Sequence, residues 1–183
     1  IVATIWPDAP MVQRFRAANI CQQYGLNPLM GHVFLVKFGD EWVTVLGIKA
    51  TRLIASRRHQ FSYIENTPRR MTEEEELTIY CEKDPAQLRF INKLQDTKTR
   101  AVFSGYGVWQ KDKIPYGSDK GNSKGNMGMI RSERAAFDRA APAEMMGLQG
   151  IDSGDEAYLP PVSVENNSAK QRVTASVKED LVE

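Results

Sequence analysis

With 183 residues the chain has the size of one domain with a tail to spare, and its apolar share of 42% is that of an ordinary globular protein. No apolar run is long enough to form a membrane-spanning helix. The net charge of +1 hides an asymmetry: residues 1–142 carry 21 Lys+Arg against 15 Asp+Glu, and residues 143–183 carry 3 against 8. A basic body ahead of an acidic tail is common among proteins that meet nucleic acid, though not confined to them.

Cys21 and Cys81 lie far apart, with no Cys or His at metal-ligand spacing from either. Both read as buried thiols of a reducing cytoplasm. The opening IVATIWPDAP lacks a basic segment ahead of a long apolar stretch and lacks an initiator Met. It is read as the interior of a longer protein rather than as a signal peptide.

Pro10 suits the start of a first helix, in which Met11, Phe15, Ala18 and Cys21 recur at helical spacing as the buried stripe. Gly25 is placed to end it in the left-handed conformation, and Asn27-Pro28 forbids a restart. HVFLVKF and EWVTVL then flank Gly39-Asp40, the pattern of a β-hairpin, with Phe34 and Trp42 expected in the core. Gly47 precedes a second helical pattern, IKATRLIASRRH, with Ile48, Leu53, Ile54 and Ala55 apolar, and FSYIE follows as a strand.

The run from Glu73 to Glu76 is expected in a solvated loop, and LTIYCE as a strand. DPAQLRFINKLQD reads as a short helix capped by Asp84 with Pro85 at its first position. TRAVFSGYGVWQK is the last strand, with Gly105 and Gly107 marking a bulge or a close backbone approach. DKIPYGSDKGNSKGNMG has loop composition, and MIRSERAAFDRAA is a final helix stopped at Pro142. The expected domains are a core over residues 1–146 and an acidic, flexible tail or linker over 147–183.

No catalytic constellation stands out. The two histidines, His32 on a strand pattern and His59 in a basic patch, read as structural or surface residues. G-x-S-x-G, H-E-x-x-H and paired-Cys patterns are missing, and GSDKGNSKGN has no Gly-Lys-Ser/Thr triplet to hold a nucleotide triphosphate. No enzymatic activity, metal or cofactor is expected.

The basic residues are more informative. With Arg131 at zero and about 100° per residue, Arg134 falls near about 300° and Arg139 near about 80°, whereas Ile130, Phe137 and Ala140 fall between about 180° and 260°. One side of the last helix should pack and the other present three guanidiniums, unless Glu133 and Asp138 satisfy them within the helix. Lys49, Arg52 and Arg57-Arg58-His59 make a second basic helix, in part as ordinary complements of the helix dipole. Arg69-Arg70, Lys98-Arg100 and Lys111-Lys113 extend these into one positive groove, interleaved with Tyr63, Tyr106, Trp109 and Tyr116. Cations along phosphates with rings against bases is the chemistry of single-strand binding.

The stretch CQQYGLNPLMGHVFLVKFGDEWVTVLGIKATRLIASRRHQF resembles the RecT/Redβ family of phage single-strand annealing proteins, in which a helix ends in a Gly-Leu-Asn/Asp-Pro turn ahead of a hairpin, a Gly and a helix. NMGMIRSERAAFDRAAP is similar to the family's late basic helix, and GYGVWQKDKIPY to its strand and Trp-containing loop, so the resemblance covers roughly residues 10–142. It implies an α+β fold, a small antiparallel sheet with helices packed around it. It also implies ATP-independent binding and annealing of single-stranded DNA in homologous recombination, by a ring or helical filament of identical subunits in the bacterial cytoplasm. Expected partners are an exonuclease and the host single-strand binding protein, the latter through the C-terminal region.

The residues expected at the DNA are Lys49, Arg52, Arg57 and Arg58 of the second helix, Arg131, Arg134 and Arg139 of the last, and Arg100, Trp109 and Lys111 between them. Two other readings compete. One is a sequence-tolerant nucleic-acid-binding module without annealing activity; the other, a nuclease, lacks the acidic cluster it would need.

Overall fold

A computed structural model describes residues 2–115 and 117–145, so Tyr116 and the acidic segment 147–183 lie outside the described residues. A short helix α1 (Val2–Ile5) leads into α2 (Met11–Gln23). Gly25, at φ +54°, ends α2 as expected. The Leu26 N–H reaches back to Cys21 O at 2.7 Å and the Gly25 N–H to Gln22 O at 3.3 Å, which closes the last turn. Asn27 then turns the chain: its side chain accepts from the Leu29 N–H, and its own N–H donates to Nδ1 of buried His32, each at 3.0 Å.

The stripe that α2 buries runs through Ala17, Ile20, Cys21 and Tyr24. That corrects the expected stripe through Met11 and Phe15, which are 69% and 58% exposed. Both lie ahead of the segment that meets the hairpin, whereas Ala17, Ile20, Cys21 and Tyr24 follow one helical face.

The hairpin forms as expected from β1 (Val33–Phe38) and β2 (Glu41–Leu46), paired from Val33↔Leu46 to Phe38↔Glu41 around Gly39-Asp40. Trp42 packs against the core. Phe34 does not; strand alternation puts Val33 inside, and Phe34 lies half-exposed over the turns at Gly31 and Gly47. A Cβ at Gly47 would stand 2.3 Å from Gly31 O, so only glycine fits where α3 (Ile48–Ser56) begins.

The second sheet is antiparallel throughout. β5 (Gln87–Asp96) is its centre, flanked on one edge by β3 (Phe61–Tyr63) and β4 (Arg69–Arg70) and on the other by β6 (Val102–Gln110). The segment expected as a helix is thus the central strand. Phe90, Asn92, Leu94 and Asp96 are buried on one face and Arg89 and Ile91 on the other, so the strand is paired on both edges and covered on both faces. Asp84 still caps, but it caps a turn, accepting the Ala86 N–H at 2.8 Å.

The acidic run is not a loop, nor is LTIYCE a strand: together they form α4 (Glu73–Tyr80). Thr72 and Glu75 close a capping box, Oγ1 accepting from the Glu75 N–H at 3.2 Å and a Glu75 carboxylate oxygen from the Thr72 N–H at 2.8 Å. Four glutamates in the first turn also complement the helix dipole. Cys81, expected inside, is exposed as the left-handed cap at φ +61°.

No residue of α4 is fully buried; Arg69 holds it, gripping both carboxylate oxygens of Glu75 at 2.7 Å. The Arg69 hydrogen bonds pull the Glu75 carboxyl down to about 2 from its ordinary 4.5. A depressed carboxylate stabilises above its unfolded value and loses that contribution as it protonates. Acidification from about pH 4.5 to about pH 2 is therefore expected to release α4 progressively, read as faster amide exchange over residues 73–80 relative to β5.

α5 (Lys124–Ala140) starts earlier than the sequence pattern indicates, because Ser123 caps it by accepting the Asn126 N–H at 3.0 Å. It lies on the β5–β6 face at backbone distance. A Cβ on Gly105 would come within 2.1 Å of the Ser132 O and Ala136 N atoms, and one on Gly107 within 2.2 Å of Gly128 O. These two glycines mark a close backbone approach. α6 (Pro142–Met145) follows, and the architecture is α+β.

Candidate nucleic-acid interface

α3 crosses α5, and their contact is chemical as well as apolar. Glu133, 1% exposed, accepts two hydrogen bonds from Arg52, Nε to Oε1 at 2.6 Å and Nη2 to Oε2 at 2.8 Å. The Tyr63 hydroxyl of β3 donates to the same Oε1. The bond to Glu133 raises the Arg52 pKa, and burial, reinforced by Glu133, raises that of Tyr63. Arg52 therefore faces the expected groove only in part, its side chain 52% exposed while its carboxylate partner is sealed beneath it.

The arginines of α5 leave the core side to Phe137 and Ala140, as the helical wheel requires, but they do not simply point into water. Arg131 donates from Nη1 to Val108 O at 2.6 Å and lies 4.5 Å over the Trp109 ring. Arg139 donates to Ser104 O and lies 5.0 Å over Tyr106. Arg134 donates from Nη2 to Leu46 O at 2.5 Å, tying α5 to the hairpin. Long side chains on a helix laid over a strand reach that strand's free carbonyls, and guanidinium planes cover neighbouring rings.

Trp109 is sealed in the core at 1% exposure, its Nε1–H donating to Lys113 O at 3.0 Å. Two-residue alternation puts it on the same face as Gly105 and Gly107, under α5, so as folded its ring meets Arg131 and not a base.

At the end of α3, Arg57 donates to Tyr24 O at 2.5 Å and Gly25 O at 3.1 Å, completing the α2 stop from across the fold. Arg58 stands 3.4 Å from Glu144, and His59 3.7 Å from both Asp96 and Glu144. Lys111 donates to Pro85 O at 2.5 Å. Lys49, Lys98 and Arg100 are exposed and lie within ion-pair distance of no carboxylate among the described residues. Asp96 shapes the turn carrying the last two, accepting the Lys98 and Thr99 N–H groups at 2.8 Å each. Those backbone bonds, Thr99 foremost, hold its pKa below the usual value.

The fold thus ties Arg52 and Tyr63 to α5 through Glu133, lays Arg131 and Arg139 on β6, and leaves Lys49, Lys98 and Arg100 without a carboxylate partner among the described residues. Among the described residues no group of His, Cys, Asp or Glu is arranged to hold a metal ion, and no helix is long and apolar enough to cross a membrane.

The model of the RecT family matches residues 11–112, from the start of α2 to just past β6. No curated protein and no solved structure matches the chain. The matched segment spans more than half the sequence and contains the helix stop, the hairpin, α3 and the whole second sheet, so the chain belongs to the RecT family of single-strand annealing proteins.

Proposed function

We propose that this protein coats single-stranded DNA and anneals it to a complementary strand without ATP, as a ring or helical filament of identical subunits. The family match over residues 11–112 carries the reading. Lys49 of α3 and Lys98 and Arg100 of the β5–β6 turn, which have no carboxylate partner among the described residues, together with the half-exposed Arg52, supply the phosphate contacts it needs. Arg58, Lys111 and Arg139 are exposed but held by partners within the chain, and each would have to exchange that partner to meet a phosphate. Arg57, Arg131 and Arg134 are tied to carbonyls of the α2 stop, β6 and β2. Residues 1–146 form the annealing core, and the acidic residues 147–183 offer a segment for an exonuclease or host single-strand binding protein in the bacterial cytoplasm.

Binding to oligonucleotides is expected to be nearly indifferent to sequence and to weaken steeply with salt, with a slope in log K against log salt of about −0.7 per phosphate neutralised. Affinity that ignores salt would rule out the electrostatic reading. Electron microscopy with complementary oligonucleotides added one after the other tests annealing: assemblies should grow on addition of the second strand, and a protein that binds each strand but assembles on neither is a binding module only.

A further inference from the structure

We infer that Arg52 and Tyr63 form one nucleotide-contact unit, with the base stacked on the Tyr63 ring, the adjoining phosphate on Arg52, and Glu133 as the positioning residue that holds both. The inference rests on the proposed binding of single-stranded DNA and names where one nucleotide of it sits.

Three observations carry it. Glu133 is buried, yet both of its partners are not: the Arg52 side chain is 52% exposed and Tyr63 is 44% exposed. The bridge therefore satisfies a buried carboxylate while leaving a guanidinium edge and a ring face open to solvent, where a ligand can reach them. Second, Arg52 spends one face of its fork on Glu133, through Nε and Nη2, leaving Nη1 and the second Nη2 hydrogen directed away from the carboxylate. Those donors match a phosphate. Third, the Tyr63 hydroxyl and Arg52 Nε meet on one oxygen, Glu133 Oε1, so the ring and the guanidinium are neighbours that one nucleotide can meet together.

Both side chains come from different elements, β3 and α3, and would otherwise move through several rotamers. A buried carboxylate reaching them from α5 removes that freedom before DNA arrives, which is the usual route by which a fixed contact gains affinity over a floppy one. Tyr63 stands as the ring of this unit, whereas Trp109 is sealed and Tyr106 is covered by Arg139.

The test compares binding of an oligo(dT) with an abasic oligonucleotide of equal length. Wild-type protein should prefer the one with bases. Tyr63→Leu should lose about tenfold on oligo(dT) and little on the abasic strand, whereas Tyr63→Phe, which keeps the ring but loses its bond to Glu133, should keep only part of the preference. Arg52→Lys should weaken both strands alike. Glu133→Gln should shrink the base preference while the salt slope stays unchanged, which a loss of general stability does not produce. On the unaltered protein, irradiation of an oligonucleotide bearing 5-iodouracil should cross-link Tyr63, located by mass spectrometry. Cross-links confined to other residues, or a Tyr63→Leu variant that binds both strands as wild type does, overturn the unit while leaving DNA binding intact. A wild-type protein that binds neither strand overturns the unit and the proposed function together.

Discussion

Gly105→Ala is expected to cost about 3–5 kcal/mol, because one added methyl group meets main chain and not flexible side chain. The new Cβ would stand 2.1 Å from two backbone atoms of α5, so helix and strand must separate along the seam. For a protein of this size that is a fall in melting temperature of about 6–20 °C, read by calorimetry or circular dichroism. Gly125→Ala is the control within α5: the nearest atoms would be 3.8 Å and 4.0 Å away, and alanine favours the helix, so this variant should gain about 0.5–1 kcal/mol. Equal effects at the two sites would mean that α5 is not seated on β6 at backbone distance.

The second large effect belongs to Arg52→Ala, expected to destabilise by about 2–4 kcal/mol. That is the lower part of the range for breaking a buried pair, since half of Arg52 already faces water. The loss comes less from the vanished bonds than from the Glu133 carboxylate left in the interior with only Tyr63 to satisfy it. Adding Glu133→Leu to Arg52→Ala should recover most of the stability, measured by urea denaturation, because the stranded charge goes with its carboxylate. If Arg52→Ala unfolds no sooner than wild type, water reaches Glu133 and the bridge is a surface contact. A residue expected at the DNA would be an exposed cation whose loss costs little stability; the burial of its partner makes Arg52 the opposite case.

That partner was within reach of the helical wheel. Glu133 falls near about 200° from Arg131, between Phe137 and Ala140 on the packed side, and a carboxylate there requires a cation from another element. What the wheel does not give is which one, since Arg52 lies far away in sequence and is brought in by the fold. The α2 stop, the hairpin, α3 and β6 were legible because each is set by local chemistry: Gly25, Gly39-Asp40, Gly47 and the glycines facing α5. β5 was not, because Asp84-Pro85 is equally a helix start and a turn, and only pairing on both edges decides. α4 was missed through its charge: four adjacent glutamates read as solvated, while the Thr72–Glu75 box that nucleates the helix sits among them. The arginines were identified by type but not by target, because a carbonyl across the fold competes with a phosphate for the same guanidinium, and sequence does not show which carbonyls are free.

The seam of Gly105, Gly107 and Gly128 makes α5, β5 and β6 a single mechanical piece. At Gly105 and Gly107 main chain meets main chain, and at Gly128 the Phe90 ring of β5 fills the place a side chain would take, so the helix has one close-fitting seat on the sheet. Arg134 ties this piece to the hairpin and Glu133 ties it to α3, so its two joints with the rest of the fold are ones that single substitutions can cut.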